Sequence, residues 1–291
     1  MKEIVILGGD YRQLELFEIL KRKGYSVSLF GFEIAKMNTS GAIDECLKRG
    51  DYLFLPIPVK FDDGLIIMPF SNEKISAREV ISKLKVDATV IFGGLDENTY
   101  DYIVNEKNHF VDLLKNEAYL KKNAKLTAQA ALNIAMVKSS VSFSDLTVCI
   151  LGQGRIGKHL STLLIPYGGK INVCTSKPHK INDNSLRNGH QDHLQAFSTH
   201  DAIDVINQSH IVFNTIPHRL FNKEEIDQIK KDITIYELAS YPYGFDVTYA
   251  KNIGIDSAVE LGLPGRFFSK SAGKVIFESF KKIDMEINNG D

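Results

Sequence analysis

Along this chain of 291 residues, short continuous apolar runs alternate with longer stretches in which apolar residues recur every three or four positions. The first pattern marks strands buried on both faces and the second amphipathic helices, so their alternation predicts an α/β, doubly wound chain with parallel sheets. Residues 3–10 run as a strand into Gly8-Gly9-Asp10. Residues 11–23 form a helix with Leu14, Leu16, Phe17, Ile19 and Leu20 on one side, and Gly24 stops it. Strands follow at 25–32, 52–56 and 88–93, with a helix over 72–84 between the last two. A short helix from about Glu97, a strand at 109–114 and the segment 117–122 complete the first domain. Thr127–Lys138, rich in alanine and N-capped by Thr127, reads as the helix connecting to a second domain, entered through the polar residues 141–145. There the pattern predicts strands at 147–151, 170–174, 211–216, 234–240 and 255–258. Helices are expected at 155–167, 200–208, 221–229 and 271–286, and residues 288–291 should fray.

The strand Thr147–Leu151 runs directly into Gly152-Gln153-Gly154-Arg155-Ile156-Gly157, and a helix follows. That helix carries Ile156, Leu160, Leu163 and Leu164 on one side and Lys158, His159, Ser161 and Thr162 on the other. In this setting Gly152 makes the tight turn, Gly154 lets the backbone approach a pyrophosphate, and Gly157 lets the helix pack close to the strand. The helix start then offers unpaired N–H groups and a positive dipole end to the phosphates. A glycine-rich turn in any α/β protein shares the spacing; the flanking strand and helix are what point to a dinucleotide. An NAD-binding unit usually ends its second strand with Asp or Glu about 20 residues beyond the glycines. Here the residues are Thr175, Ser176 and Lys177, followed by His179 and Lys180, hydroxyls and cations that suit a 2′-phosphate. NADP(H) is therefore expected in preference to NAD(H). The expected layout is a Rossmann-like domain over 1–126, the connecting helix over 127–140, and an NADP-binding Rossmann domain over 141–268. Residues 269–291 are expected to pack back on the first domain.

Composition narrows the classes. With 35 basic and 36 acidic residues the net charge is −1, so no global field draws nucleic acid or an anionic membrane surface. No apolar run reaches the roughly 20 residues that a membrane helix needs, and the apolar start of the chain is too short for a signal peptide. Cys46, Cys149 and Cys174 are an odd number, two of them inside predicted buried strands, which fits a reducing cytoplasm and small buried hydrophobes. No CxxC and no His pair at ligand spacing suggests a metal site.

Several local patterns occur in a joint order: Gly8-Gly-Asp-x-Arg-Gln-Leu-Glu15, Phe70-Ser-Asn-Glu73, Asn214-Thr-Ile-Pro217, Leu238-Ala-Ser240-x-Pro242, Gly262-Leu-Pro-Gly265 and Ser271-Ala-Gly273. In that order the chain resembles the dipicolinate synthase A-subunit family of spore-forming bacteria. The resemblance implies an architecture like that of 2-hydroxyacid dehydrogenases, with the dinucleotide between two domains. It also implies an NADP-linked oxidation of dihydrodipicolinate to dipicolinate, alongside a flavoprotein-like B subunit. The chain departs from the family at Leu126-Thr-Ala-Gln129-Ala130, where a Glu is expected at Gln129, and in its bulkier segments Tyr241–Phe245 and Arg266–Phe268.

A heterocyclic dicarboxylate calls for cations or N–H donors, and the Arg fork matches a carboxylate bidentately. Arg12 is the first candidate and Arg266 the second, with Ser71 and Asn72 as hydrogen-bond donors. The plainer readings are surface ion pairs for the arginines and a helix start for Ser-Asn-Glu. Asn214, Thr215, Pro217 and Ser240 end core strands where ribose and nicotinamide should lie, and Gly262–Gly265 should shape the pocket floor. His218 is the candidate general acid or base, or else a solvated loop histidine. The function expected is thus an oxidoreductase subunit, cytoplasmic and homo-oligomeric. The alternatives are a nucleotide-binding structural or regulatory subunit whose chemistry lies in a partner, or another dehydrogenase of a small carboxylate.

Overall fold

The computed structural model describes residues 2–37, 41–95, 100, 101, 104, 107–180 and 193–289, and the chain divides into two compact units. The first comprises residues 1–123 and 265–291; the second comprises 124–264.

The first unit begins with β1 (Glu3–Leu7), α1 (Tyr11–Arg22), β2 (Ser26–Phe30), α2 (Ile43–Arg49) and β3 (Tyr52–Phe54). It continues with β4 (Phe61–Asp62), β5 (Leu65–Ile66), β6 (Ile75–Ser76), α3 (Ala77–Ser82), β7 (Thr89–Phe92) and β8 (His109–Asp112). The main sheet is parallel in the order β2-β1-β3-β7-β8, with Ile4 opposite both Val27 and Tyr52. Asp10 and Gln13 start α1 with a reciprocal capping box. The helix expected over 72–84 is shorter than its apolar spacing suggests. Ile75 and Ser76 pair with β5, and the Ser76 hydroxyl then caps α3 by accepting from the Glu79 N–H. The short helix expected from Glu97 starts outside the described residues.

The segment 117–122 and the helix expected over 127–138 form one helix, α4 (Glu117–Lys138). Asn116, not Thr127, caps it, since its Oδ1 accepts from the Tyr119 N–H at 3.0 Å, while Thr127 is buried within the helix. The second unit then runs β9 (Thr147–Leu151), α5 (Arg155–Leu164), β10 (Lys170–Thr175), β11 (Leu194–Ser198), α6 (Ala202–Asn207) and β12 (Ile211–Asn214). After these come α7 (Lys223–Asp227), β13 (Thr234–Glu237), α8 (Val247–Asn252) and β14 (Asp256–Val259). Its sheet is parallel throughout in the order β11-β10-β9-β12-β13-β14, the arrangement of a dinucleotide-binding Rossmann fold.

Part of the expected loop 262–265 is helical, as α9 (Leu263–Phe267), and the chain ends in α10 (Ser269–Asn289). Ile276, Phe277, Phe280 and Ile283 of α10 enter the first unit's core beside Leu16, Leu20, Tyr52 and Phe54. Burying each such side chain contributes roughly 1.5–3 kcal/mol. A Cβ at Gly273 would lie 2.6 Å from Glu15 Cβ and 2.9 Å from the Arg12 carbonyl oxygen, so glycine is what lets α10 close on α1. At the far end Asp284 accepts from the Tyr52 hydroxyl at 2.6 Å and pairs with Lys2.

Candidate functional site

In an open parallel sheet a ligand binds beyond the strand ends where the order reverses, which in the second unit is between β9 and β12. The glycine loop leaves β9 there. Gly152 has φ +96°, and a side chain on it would run into Thr215 Oγ1 at 2.6 Å and Ile216. A Cβ at Gly157 would overlap the Gly152 carbonyl oxygen, whereas one at Gly154 would meet nothing within 4 Å. So Gly152 and Gly157 are fixed by the turn itself, and Gly154 faces open space at the start of α5, where backbone could approach a phosphate. Arg155 and Ile156 open that helix, and the buried Oε1 of Gln153 has no hydrogen-bond partner among the described residues. These features fit a dinucleotide.

The Gly152 N–H donates to the Cys174 carbonyl at 2.8 Å, tying the loop to β10, at whose end Thr175 is half-buried and Ser176 and Lys177 are exposed. The Lys177 N–H donates to Thr175 Oγ1 at 3.4 Å. Cys149 and Cys174 are fully buried free thiols hydrogen-bonded to each other; that bond, then burial, raises the Cys149 pKa.

The loops after β12 and β13 are held by a residue that sequence reasoning missed. Glu237 ends β13 directly opposite Asn214 in the strand register, and both are fully buried. The Glu237 carboxylate accepts from Asn214 Nδ2 at 2.7 and 2.9 Å, and from the backbone N–H groups of Ala239 (3.0 Å), Gly244 (2.9 Å) and Phe245 (3.4 Å). Burial pushes its pKa above the ordinary carboxylate value, against the lowering effect of these hydrogen bonds. The Asn214 amide also donates to the Ile216 carbonyl and accepts from the Ile216 N–H. Asn214 is thus turned into the core and engaged on both amide atoms, so it shapes the loop. Thr215 Oγ1 donates to the Leu151 carbonyl at 2.8 Å, while Pro217, His218 and Ser240 are exposed at the same sheet edge. Tyr241, next to Ser240, is 79% exposed, with its ring 5.8 Å from that of Tyr243.

In the first unit the order reverses between β1 and β3, and the residues expected to bind substrate lie around the end of β1. Arg12 is buried. Its Nε donates to both Asp10 oxygens at 2.8 and 3.0 Å, and its Nη2 donates to Asp10 at 2.7 Å and to the Ile57 carbonyl. Although burial works against it, pairing with Asp10 and contact with Tyr119 raise the Arg12 pKa, so the guanidinium stays charged. A Cβ at Gly265 would lie 2.7 Å from Asp10 Oδ2 and 3.1 Å from Arg12 Nε, so the start of the 265–291 segment seals this ion pair. Arg266, exposed, lies 5.5 Å from the centre of the Phe267 ring. Met68 fills the space over Gly8 and Gly31, and Phe70 stacks on Phe32 and meets Tyr11 edge-on. Ser71 follows, its Oγ accepting from the Glu73 N–H at 3.0 Å, and Asn72 is exposed. The Ser-Asn-Glu segment is therefore a turn over the strand ends, not a helix start.

Each unit thus gathers its own candidates. Gly152–Gly157, Thr175–Lys177, Thr215–His218 and Ser240 share one sheet edge of the second unit, and Arg12, Ser71 and Arg266 belong to the first. Among the described residues no group of three His, Cys, Asp or Glu is placed to hold a metal ion, and no helix is long and apolar enough to cross a membrane.

Residues 3–114 match the family model of the N-terminal domain of the dipicolinate synthase A subunit. The A subunit of dipicolinate synthase from Bacillus subtilis (strain 168) is 27% identical over 296 residues, covering 98% of this chain and 96% of that protein. The crystal structure of the Bacillus halodurans dipicolinate synthase A subunit superposes with a TM-score of 0.81 at 25% identity, covering 97% of each chain. A D-lactate dehydrogenase from Treponema pallidum shares the fold with a TM-score of 0.58 at 13% identity, covering 99% of this chain and 97% of its own. The two Rossmann-like α/β units and their likeness to the 2-hydroxyacid dehydrogenase architecture are as the sequence led us to expect.

Proposed function

We propose that this chain, a member of the dipicolinate synthase A-subunit family through its residues 3–114 and like that protein over nearly its whole length, is an NADP-dependent oxidoreductase subunit. Its substrate in this reading is dihydrodipicolinate, oxidised to dipicolinate. The observation that carries the reading is the glycine turn at the β9/β12 reversal, with Gly154 facing open space, beside a strand end that offers Thr175, Ser176 and Lys177 in place of a carboxylate.

In this reading the backbone N–H groups at the start of α5 hold the pyrophosphate, and Ser176 and Lys177 hold the ribose 2′-phosphate. Thr215 Oγ1 ties the loop after β12 to the end of β9 and to the glycine loop, donating to the Leu151 and Gly152 carbonyls. Pro217 and Ser240 border the nicotinamide, which when bound would accept the hydride. Aromatisation of the ring also releases a proton, to His218 or to water. The first unit serves the dianionic substrate through Ser71, Asn72 and Arg266, with Arg12 keeping a fixed positive charge behind the loop after β1. The protein works in the cytoplasm as a homo-oligomer with a flavoprotein-like B subunit. One observation favours the alternative, a nucleotide-binding subunit whose chemistry lies in a partner: the Arg12 fork closes on Asp10 instead of opening to a ligand.

Calorimetric titration with NADPH and NADH, repeated on Lys177→Ala, tests the reading. NADPH should bind at least tenfold more tightly than NADH, a difference of about 1.4 kcal/mol, and the variant should lose most of that preference. Binding of neither nucleotide would reduce Gly152–Gly157 to a turn, and the oxidoreductase reading would fall with it. With NADP+ supplied as the hydride acceptor, turnover of dihydrodipicolinate by the chain alone or only with the B subunit separates the two readings.

A further inference from the structure

We infer that Glu237 is a positioning residue for the nicotinamide half of the dinucleotide; this rests on the reading that the second unit binds one. A doubly wound sheet binds the two halves of a dinucleotide on its two strand sets, the adenosine half over β9–β11 and the nicotinamide half over β12–β14. The backbone beyond β12 and β13 must therefore be set for the second half, and Glu237 sits under both stretches. One oxygen accepts from the Asn214 amide and the Ala239 N–H; the other accepts from the Asn214 amide and from the Gly244 and Phe245 N–H groups. Asn214 in turn holds both backbone polar groups of Ile216. The Leu220 N–H donates to the Gly244 carbonyl at 3.0 Å, so the two loops are joined directly as well.

A buried carboxylate makes charge-assisted hydrogen bonds, roughly twice as strong as neutral ones, and nothing of comparable size could accept from all these donors. What it holds is a pair of loops with their outer faces open: Pro217, His218, Ser240 and Tyr241 are all exposed. Tyr243 is kept at φ +61°, a backbone state that a residue with a side chain adopts only under constraint from its surroundings. Gly244 permits the arrangement because a Cβ there would lie 2.6 Å from Asn214 Nδ2. By contrast, Gly152–Gly157 and Thr175–Lys177 make none of these bonds.

The test compares two probes, NADPH and 2′,5′-ADP, which carries only the adenosine half, on the wild-type chain, Glu237→Gln and Gly244→Ala. Both variants should bind NADPH at least tenfold more weakly and 2′,5′-ADP within twofold of wild type. The Gly244→Ala chain keeps the carboxylate, so it carries the comparison if Glu237→Gln does not fold. Equal weakening of both probes would mean a general loosening of the unit and overturn the inference, as would unchanged NADPH binding in a folded variant. A wild-type chain that binds neither probe would sink the dinucleotide reading itself. A wild type that binds both, with variants no different, would sink only the role of Glu237.

Discussion

A methyl group added at Gly157 would overlap the Gly152 carbonyl oxygen, while one added at Gly154 would touch nothing within 4 Å, so two glycines of one motif make opposite predictions. Gly157→Ala must push α5 off the end of β9, which overpacking experience places at about 1–3 kcal/mol of stability. A thermal melt should show the loss directly. Gly154→Ala should melt like wild type and still lose NADPH affinity by tenfold or more, because its only effect is to fill the space left for a pyrophosphate. If Gly154→Ala bound NADPH normally, the close approach of backbone to phosphate would have to be abandoned. The same residue scale shows why the glycines were legible in the sequence and Glu237 was not. The glycines lie within six residues of one another, and their spacing alone implies the turn. Glu237 and Asn214 lie far apart in the chain, and each looks like the polar end of an apolar strand. They meet only through the β12–β13 register, which no local pattern states.

Elements were readable where they were long and periodic, and were misread where a cap or a partner strand overrode the spacing. Apart from β11, where no strand was expected, the strands of the two parallel sheets and helices α1, α5 and α10 follow from apolar periodicity. Strands β4, β5 and β6 have two residues each, too few to show a period, and α3 begins late because Ile75 and Ser76 are drawn into that small sheet. Helix α10 also shows how one element depends on a few polar contacts at its end. Asp284 accepts from Tyr52 and Lys2; burial tends to raise its pKa, but these hydrogen bonds and the Lys2 charge outweigh that and hold it below the ordinary carboxylate value. A depressed folded-state pKa stabilises above the unfolded value, and that stability is lost as pH falls through the folded one. Asp284→Asn should therefore lower stability at pH 7 by about 1 kcal/mol, since the pair is partly exposed. Melting curves across pH should show the difference from wild type shrinking below the ordinary carboxylate range; a gap that stayed constant into acid would assign the loss to packing.

At the scale of the whole molecule, the chain leaves the first unit at residue 123 and returns at residue 265, so only the second unit is a continuous stretch. The return explains why widely separated sequence motifs go together. Gly265 presses on the Asp10–Arg12 pair and Gly273 on Glu15 and Leu16, which brings Gly265 and the 271–273 pattern onto the 8–15 pattern. It also makes the two units unequal in what they need. A chain ended after Gly262 loses Ile276, Phe277, Phe280 and Ile283 from the first unit's core, each contributing roughly 1.5–3 kcal/mol, a sum that rivals the roughly 5–15 kcal/mol net stability of an ordinary domain. The second unit loses from its sheet nothing that pairs a strand, because β14 ends at Val259. Calorimetry of the truncated chain should thus show the first unit's melting transition gone and one transition remaining. NADPH titration of that chain should give an affinity within about threefold of wild type, as the loops after β9, β10, β12 and β13 are all retained. Retention of both transitions would mean that α10 covers a core able to stand without it. Loss of NADPH binding with the remaining transition intact would mean that the nucleotide is held by residues from outside 124–264.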